Sequence, residues 1–319
     1  MALGRLGVTD NAPMEVQLPS PAVSSPVPLP EGTCALPHLG VIEATGKDAA
    51  SFLHNQFTQD ILLLPPTEAR LGAFCNAKGR MQASFILAKP EAERVLLVLA
   101  RELIAQTVKR LGLFVLRAQV KLRDASADYE LRGLLGGAFA RAHPDAQAGT
   151  RLSYAGGEAW VLSPVATHPR ALWLAALGTA APADAALPEA AWQVAEVFSG
   201  VAWVTSPIFE AFVPQMLNYE SVGGVNFRKG CYPGQEVVAR SQFRGSLKRR
   251  AALFETPMPL AVGAELGAPG EPERIVGQVA AAASWQDRHW VLAVMVDGAT
   301  QAQGLGAPCP LPYAIRDDL

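Results

Sequence analysis

From residue 38 onward, the apolar positions change between a period of two and a helical period, which predicts strands alternating with short helices. The run KDAASFLHNQFTQDI places apolar side chains on one helical face, at Ala49, Phe52, Leu53, Phe57 and Ile61. The runs GVIEATG, RVLLVLA and QVKLRD read as strands, and RELIAQTVKRL reads as a second helix. This order predicts an α+β fold in which helices pack on a mostly antiparallel sheet.

Turn residues divide the remaining apolar runs. The stretch FCNAKGRMQASFIL predicts two strands around Asn76–Gly79, with glycine where a hairpin needs it. The runs ELRGLLGG and TRLSYAGGEAWVLSP predict further hairpins, the second turning at Gly156-Gly157, and ALWLAAL predicts a strand. The run PEAAWQVAEVFSG predicts a helix that ends at Gly200. After residue 246 the pattern shows strands with Gly/Pro turns and no helix, which favours a small closed β domain.

Three regions follow from these patterns. Residues 1–35 are rich in proline and poor in aromatic residues, which predicts a flexible arm. Residues 36–246 form the α+β region, in two subdomains at roughly 36–125 and 126–246. Residues 247–319 form the C-terminal β domain.

Composition limits the partners that the chain can attract. The formal net charge of −2 over 319 residues argues against a global affinity for nucleic acid or membranes, so any such affinity must come from a local patch. No apolar run reaches the length of about 18 residues that spans a bilayer. The N-terminus lacks the charged-then-apolar order of a signal peptide. We therefore expect a cytoplasmic, monomeric protein without a membrane partner.

The four cysteines lie far apart in the sequence, at Cys34, Cys75, Cys231 and Cys309. Since no two of them form a Cys-x-x-Cys pair, the spacing suggests neither a zinc site nor a self-contained iron–sulphur site. It is consistent with a reducing compartment. Cys34 lies in or next to the arm and is expected to react with labelling reagents, whereas Cys75 lies in an apolar strand and is expected to be protected.

Cys231 lies in the stretch KGCYPGQE, residues 229–236, which we call the cysteine loop. Gly230 and Pro233-Gly234 predict a tight, irregular backbone. The following Gln-Glu-Val-Val-Ala-Arg reads as the start of a helix. A position ahead of a helix N-terminus and beside Arg228 and Lys229 stabilises a thiolate over a thiol. Burial of an inert cysteine is the alternative.

The cysteine loop belongs to a longer pattern that identifies a family. The run FVPQMLNYESVGGVNFRKGCYPGQEVVARSQFRGSLKRR, with HNQFTQDI and FCNAKGRMQASFIL upstream, strongly resembles the YgfZ folate-binding proteins over most of residues 38–300. These proteins are relatives of the glycine-cleavage T-protein, an aminomethyltransferase. The resemblance implies a ring-like arrangement of α+β domains capped by a C-terminal β-barrel, with tetrahydrofolate in a central channel. It further implies support of iron–sulphur cluster synthesis or repair in client enzymes, including one that methylthiolates tRNA. The family's signature lysine and cysteine correspond to Lys229 and Cys231.

The chain departs from the T-protein at one informative position. Aminomethyl transfer in that relative uses an aspartate in a Gly-Gly-x-x-Asp-Asp pattern, and the matching stretch here is KGRMQA, residues 78–83. Gln82 and Ala83 supply no carboxylate. A neutral amide cannot balance the positive charge that develops during transfer, so aminomethyltransferase activity is expected to be slow or absent.

Folate binding by itself needs a carboxylate that meets the amidine-like edge of the pterin with two parallel hydrogen bonds. The segment VAEVFSG resembles the family's Glu-x-x-x-Gly segment, which makes Glu196 the candidate partner; a solvated acid near a helix end is the alternative. Asn218 and Glu220 are secondary candidates. Gln56 and Asn76 either line the same channel or cap local turns.

A basic cluster follows the cysteine loop directly. It is suited to bind a polyglutamate folate tail through arginine forks, or RNA phosphates, or to form a solvated strand face. The folate tail is favoured, because Phe243 is the one aromatic residue that interleaves the cluster. The members of the cluster are Arg240, Arg244, Lys248, Arg249 and Arg250.

Two functions of different classes follow. The first is a folate-dependent factor that maintains iron–sulphur enzymes through the thiol of Cys231. The second is a non-catalytic RNA or protein interaction module on a folate-binding scaffold. A cysteine hydrolase is disfavoured, because no histidine is tied to Cys231 by the sequence.

Overall fold

A computed structural model describes residues 27–243 and 248–316 of the chain. The strands, in chain order, are β1 (Gly32–Ala35), β2 (Leu39–Thr45), β3 (Ala69–Cys75), β4 (Met81–Glu91), β5 (Arg94–Ala100), β6 (Lys121–Asp124), β7 (Tyr129–Leu135), β8 (Arg151–Tyr154), β9 (Gly157–Val165), β10 (His168–Ala176), β11 (Arg249–Thr256), β12 (Glu265–Ala268), β13 (Glu271–Trp285), β14 (Arg288–Val296) and β15 (Pro308–Cys309). The α-helices are α1 (Ala49–His54), α2 (Ile104–Gly112), α3 (Gly137–Ala142), α4 (Glu189–Phe198) and α5 (Gln235–Phe243).

The first sheet has the order β3-β4-β5-β2-β6, and all its pairs are antiparallel. The predicted strands and the turn at Asn76–Gly79 are confirmed, because Gly79 adopts φ +71°, which the hairpin requires. The helix α2 also follows the prediction, after a single 3₁₀ turn at Arg101–Leu103. It packs its apolar face, with Ile104 and Leu111, on this sheet.

The helix α1 ends at His54, well before the predicted Ile61. The predicted apolar face is nevertheless buried throughout. The helix stops because tertiary contacts replace its hydrogen bonds. The carbonyls of His54 and Phe57 accept from the ammonium of Lys229, and the N–H of Thr58 donates to the carbonyl of Ala73. These partners lie far away in the sequence, so no local pattern could reveal them.

The second sheet has the order β1-β7-β10-β9-β8. Its first strand, Gly32–Ala35, lies in the region predicted as a flexible arm, so that prediction is wrong for this segment. Burial of Val27 and Leu29 in the core holds the chain ahead of the strand. Residues 1–26 lie outside the described part of the chain.

Two smaller expectations in this sheet also change. The run ELRGLLGG does not form a hairpin, because β7 pairs with β1 on one side and with β10 on the other. The glycines at its end lead into α3, which the sequence pattern did not predict. The hairpin of β8 and β9 turns at Ala155-Gly156, since Tyr154 and Gly157 are already paired.

The third sheet is antiparallel with the order β12-β13-β14-β11-β15. It contains no helix among its described residues, as predicted. The predicted closed barrel is seen here only as a five-stranded sheet. One backbone hydrogen bond of 2.8 Å, from the N–H of Gln303 to the carbonyl of Gly267, ties the chain ahead of β15 to β12 at the opposite edge. Closure of the barrel stays a prediction.

The main apolar core joins residues of all three sheets with α4. Trp192 of α4 is fully buried and packs directly on β7 at Gly133, where any β-carbon would lie 2.6 Å from the indole ring. Phe198, at the end of α4, packs edge-on against Trp290 of β14 with ring centroids 5.1 Å apart. The helix α4 is therefore positioned where the three sheets meet. No helix in the described part of the chain is long and apolar enough to cross a membrane.

Candidate functional site

The cysteine loop is shaped by two turns. The side-chain oxygen of Asn226 accepts hydrogen bonds from the N–H groups of Arg228 and Lys229, which folds the chain ahead of Cys231. Gly234 adopts φ +79°, and a β-carbon there would lie 2.4 Å from the carbonyl oxygen of Asn76. Only glycine fits this contact, which docks the loop on the turn between β3 and β4. The helix α5 begins at the next residue, so Cys231 lies just ahead of a helix N-terminus, as predicted.

Lys229 is buried and points into the protein rather than into solvent. Its ammonium donates to the carbonyl of His54 and, at 2.8 Å, to the carbonyl of Phe57, and it lies 4.7 Å from the ring centroid of Tyr232. Burial lowers the pKa of Lys229 to about 8, although Asp60 and Cys231 favour its charged form. Lys229 therefore clamps the cysteine loop onto the end of α1.

This burial predicts a pH dependence of stability. Because the pKa of Lys229 falls from 10.5 to about 8 on folding, the unfolded chain binds this proton more tightly than the folded chain. The free energy of unfolding should therefore rise as the pH increases through this window, by up to about 3 kcal/mol. Urea unfolding at several pH values should show this rise in wild type and a smaller one in Lys229→Met.

The matched control is Lys78→Met, because Lys78 is exposed. It should keep the wild-type slope, which separates the contribution of Lys229 from that of all other groups that titrate in the same window. A Lys229→Met variant with the full wild-type slope would contradict the burial of a charged ammonium.

His54 and Asp60 complete the surroundings of the loop, and sequence reasoning missed both. His54 Nδ1 lies 3.2 Å from Asp60 Oδ1, and a β-carbon at Gly230 would lie 3.7 Å from His54 Nε2. Burial lowers the pKa of His54, Lys229 lowers it further, and Asp60 acts in the opposite direction. The sequence separation of His54 from Gly230 explains why no motif could link them.

The four cysteines differ in exposure. Cys231 is exposed, whereas Cys34 and Cys75 are buried and Cys309 is half-buried. Burial raises the pKa of the Cys34 thiol to about 11 and also raises those of Cys75 and Cys309. The expectation that Cys34 reacts is therefore wrong, because its side chain on β1 is buried in the main apolar core. Cys231 is the thiol that solvent reaches most freely in the described part of the chain.

A cavity of about 620 Å³, which we call the Glu196 cavity, lies between the first sheet, α4 and the third sheet. Leu39 and Ala100 line it from the first sheet, Val197 from α4, and residues 280–282 from β13. Glu196 places a carboxylate in this largely apolar wall, with its side chain 14% exposed. Glu196 is therefore not a freely solvated acid, which was the alternative interpretation.

The neighbours of Glu196 include an indole, an imidazole and a guanidinium group. Its Oε1 accepts from the indole N–H of Trp203 at 2.9 Å. His38 lies near its other oxygen at 3.7 Å, and neither ring nitrogen of His38 makes a hydrogen bond with a described residue. Burial lowers the pKa of His38, but Glu196 and Glu189 more than offset this, so the net shift is upward. Arg101 adds a cation to the cavity lining.

Asn218 and Glu220 lie in a different place, in a buried cluster between residues 218–221 and the third sheet. Arg250 donates to Glu220 Oε1 at 2.6 Å and to Asn218 Oδ1 at 3.3 Å. The amide of Asn218 also donates to the carbonyl of Ala251 and to the hydroxyl of Tyr313. Neither Asn218 nor Glu220 lines the Glu196 cavity. Their assignment to folate stays a prediction.

Gln56 and Asn76 also lie away from the Glu196 cavity. The side-chain oxygen of Gln56 is buried without a hydrogen-bond partner among the described residues. Asn76 caps its own turn by accepting from the N–H groups of Lys78 and Arg80. Asn76 and Gln82 both lower the pKa of the Glu210 carboxyl.

Residues 78–83 contain no carboxylate, but a carboxylate from another part of the chain contacts them. Gln82 Nε2 donates to Glu210 Oε1 at 2.6 Å. Sequence reasoning missed Glu210, which lies 128 residues further along the chain. Gln82 already donates to this carboxylate. The expected lack of aminomethyltransferase activity stays a prediction.

The predicted basic cluster is divided by the structure. Arg240 is exposed on α5 and lies 3.5 Å from Glu236, and Lys248 is exposed. Arg250 points inward to Glu220. Arg244 lies outside the described residues. None of the described members lines the Glu196 cavity, so a role in binding the folate tail stays a prediction.

Comparison with known proteins decides the family. The chain is 30% identical over 259 residues to the tRNA-modifying protein YgfZ of Edwardsiella ictaluri, and the match covers 76% of this chain and 75% of that protein. It is 31% identical over 232 residues to the tRNA-modifying protein YgfZ of Vibrio vulnificus strain CMCP6, covering 69% of each chain. The chain belongs to the YgfZ family. The resemblance drawn from the cysteine loop and its flanking runs is thereby confirmed.

The YgfZ relationship extends over nearly the whole chain. The match to the YgfZ protein of Aliivibrio fischeri strain ES114, at 27% identity over 325 residues, covers 96% of this chain and all of that protein. No family model matches the chain. The fold is similar to the crystal structure of glycine cleavage system aminomethyltransferase T from Bartonella henselae, with a TM-score of 0.63 over 83% of this chain and 78% of that chain. At 15% sequence identity this similarity shows the fold alone.

Within this YgfZ fold the predicted site residues form separate groups. Cys231 and Lys229 lie together in the cysteine loop, while Glu196 lies in its cavity, against the third sheet. Sequence reasoning missed His38, Trp203 and Arg101, which accompany Glu196. The sequence gives a weak indication that Trp203 lies near Glu196, because Trp203 closely follows α4 in the chain. It gives none for His38 and Arg101.

Proposed function

We propose that this protein binds a reduced folate in the Glu196 cavity and supports tRNA modification through the synthesis or repair of iron–sulphur clusters in client enzymes. Cys231 is the reactive group in this proposal, and Lys229 positions it. The observation that carries the proposal is a half-buried carboxylate in the wall of a large apolar cavity, in a chain whose YgfZ relatives are named tRNA-modifying proteins.

The residues present fit a folate. A volume of about 620 Å³ falls in the range of roughly 300–1,000 Å³ that is typical of pockets for small molecules. Apolar walls of Val, Leu and Ala suit the faces of a pterin, and Glu196 suits its donor edge. His38, whose Nε2 lies 3.7 Å from Glu196, adds a second polar side chain to the lining. Arg101 suits the carboxylate end of the ligand.

The exposed cysteine supports the second half of the proposal. A thiol that transfers or accepts sulphur, or that holds a cluster in transit to a client, must be open to that client. Cys231 meets this requirement, while Cys34 and Cys75 do not. Lys229 contributes by geometry, since its ammonium fixes the cysteine loop to the carbonyls of α1 and Phe57.

Tetrahydrofolate should stabilise the native state. A ligand that binds only the folded chain adds about 2.7 kcal/mol to the free energy of unfolding when present at one hundred times its dissociation constant. Glu196→Gln should weaken the affinity by roughly tenfold to a hundredfold, because charge-assisted hydrogen bonds contribute about 1.5–3 kcal/mol. Calorimetric titration and melting curves with tetrahydrofolate measure both effects.

Glu189→Gln is the matched control. Glu189 lies on the same helix and contacts His38 at 3.6 Å, but it does not line the cavity. This variant should bind tetrahydrofolate as wild type does. A wild-type melting temperature that tetrahydrofolate leaves unmoved, or equal affinities of wild type and Glu196→Gln, would overturn the assignment of this cavity to folate.

A further inference from the structure

A second cavity, of about 240 Å³, lies beside the C-terminal half of α2. We call it the Gln82 cavity. Phe74 of β3 and Gln82 of β4 line it from the first sheet, and Phe209 closes it from the loop that carries Glu210. Its lining shares no residue with that of the Glu196 cavity. The proposed folate site does not explain it.

Gln82 provides the polar feature of this cavity. Only 3% of the residue is exposed, and its Nε2 donates to Glu210 Oε1 at 2.6 Å, which fixes the orientation of the amide. Its Oε1 is buried and has no hydrogen-bond partner among the described residues. Buried polar atoms in folded proteins nearly always have a partner. The free oxygen is therefore suited to a ligand that brings an N–H group into the cavity.

The remaining lining residues define the rest of the ligand. Phe74 is buried, Phe209 is half-buried, and Leu113 is 68% exposed at the rim, so the walls suit the faces of a flat ring. Lys109 and Arg110, both exposed, come from the last turn of α2 and place positive charge at the same opening. The volume is below the usual range for drug-sized ligands, which limits the buried part to a single ring system.

A nucleotide combines these three features. Every nucleobase carries an N–H or amino donor and two flat faces, and its phosphate is an anion next to the ring. We propose that the Gln82 cavity binds one nucleobase, which donates to Gln82 Oε1, while the attached phosphate lies beside Lys109 and Arg110. Gln106, also in the lining, is available to a second polar atom of the base edge.

The nucleotide can be free or part of an RNA strand, and both sources present the same chemistry. The chain beyond the rim favours a strand, since Phe114 and Leu116 are 44% and 88% exposed and are followed by the exposed Arg117 and Lys121. An exposed aromatic side chain beside basic residues is typical of surfaces that bind single strands. The net charge of −2 confines such attraction to a local patch like this one.

Fluorescence anisotropy with a labelled single-stranded RNA octamer, and calorimetry with AMP, CMP, GMP and UMP, test the proposal at low salt. Gln82→Met removes the acceptor at equal side-chain length and should weaken binding by about tenfold, as loss of one base contact does. Arg110→Gln should weaken binding of every sequence and reduce the salt dependence of RNA binding by about one phosphate contact. Arg141→Gln, at an exposed position on α3, should bind as wild type does.

Leu113→Glu tests the same site if Gln82→Met fails to fold. Leu113 is exposed, so the substitution should not affect folding, and a carboxylate at the rim repels a phosphate. It should weaken binding while the melting temperature stays unchanged. If wild type binds mononucleotides and these variants bind them more weakly, the cavity is assigned to a free nucleotide. If wild type binds only the octamer and these variants bind it more weakly, the cavity is assigned to RNA. Absence of binding by both probes, or equal binding by wild type, Arg110→Gln and Leu113→Glu, overturns the proposal. Tetrahydrofolate titrations of the same variants should be unchanged.

Discussion

Replacing Cys231 by serine is expected to reduce the support of iron–sulphur client enzymes to the level seen without the protein, while the fold and folate binding stay intact. Serine is nearly isosteric with cysteine, and the side chain at this position is exposed, so packing should not change. The hydroxyl cannot replace a thiolate as a nucleophile or a metal ligand near neutral pH. Cys34 and Cys75 cannot substitute, because both are buried.

The measurement is complementation of cells that lack the native factor, with the activity of an iron–sulphur enzyme and the level of tRNA methylthiolation as readouts at matched expression. Cys309→Ser is the control, since Cys309 is half-buried in the third sheet and belongs to no proposed site. It should restore both readouts. Full restoration by Cys231→Ser would instead mean that turn geometry alone explains the cysteine loop.

The second large effect concerns stability. Arg250→Met should lower the free energy of unfolding by about 3–5 kcal/mol, because it leaves the carboxylate of Glu220 buried without its cation. The Glu220 side chain has no exposed surface, and Arg250 Nη1 lies 2.6 Å from its Oε1. Burial raises the pKa of Glu220, and Arg250 acts in the opposite direction. Urea unfolding near neutral pH measures the loss.

The sign of the pH dependence follows from the same shift. A carboxyl whose pKa is raised on folding loses stability as the pH rises from its unfolded value near 4.5, so the deficit of Arg250→Met should shrink at lower pH. Glu220→Leu combined with Arg250→Met should recover much of the loss, because apolar residues tolerate this burial. A deficit that is the same at pH 4.5 and pH 7.5 would show that the loss comes from packing rather than from charge.

This pair also distinguishes two roles for Glu220. If Glu220 is only a structural partner of Arg250, Glu220→Gln should change the free energy of unfolding and leave the affinity for tetrahydrofolate unchanged. If Glu220 is the folate contact predicted from the sequence, Glu220→Gln should weaken the affinity for tetrahydrofolate. Comparing its titration with that of Glu196→Gln therefore tests the secondary candidates separately from the main one.

The amino-acid sequence by itself determined the elements whose pattern is local. The hairpin at Asn76–Gly79, the strand Arg94–Ala100 and the helices α2 and α4 lie close to where periodicity and turn residues predict them. The cysteine loop was recognised in the same way, because its glycines, proline and cations are contiguous and their effects on the backbone act over a few residues. The resemblance to the YgfZ family was recognised from such contiguous runs as well.

Tertiary structure alone decided features that join distant segments. Lys229 donates hydrogen bonds to carbonyls at the end of α1, about 170 residues away in the chain. Glu210 accepts a hydrogen bond from Gln82, 128 residues away. The strand β1 pairs with β7, about one hundred residues further along the chain, so part of the predicted arm belongs to a sheet. In the sequence, each of these residues has many other residues with which it could equally well pair. Only the packing of three sheets around α4 selects one, because the energy of these contacts depends on burial and geometry that no local pattern contains.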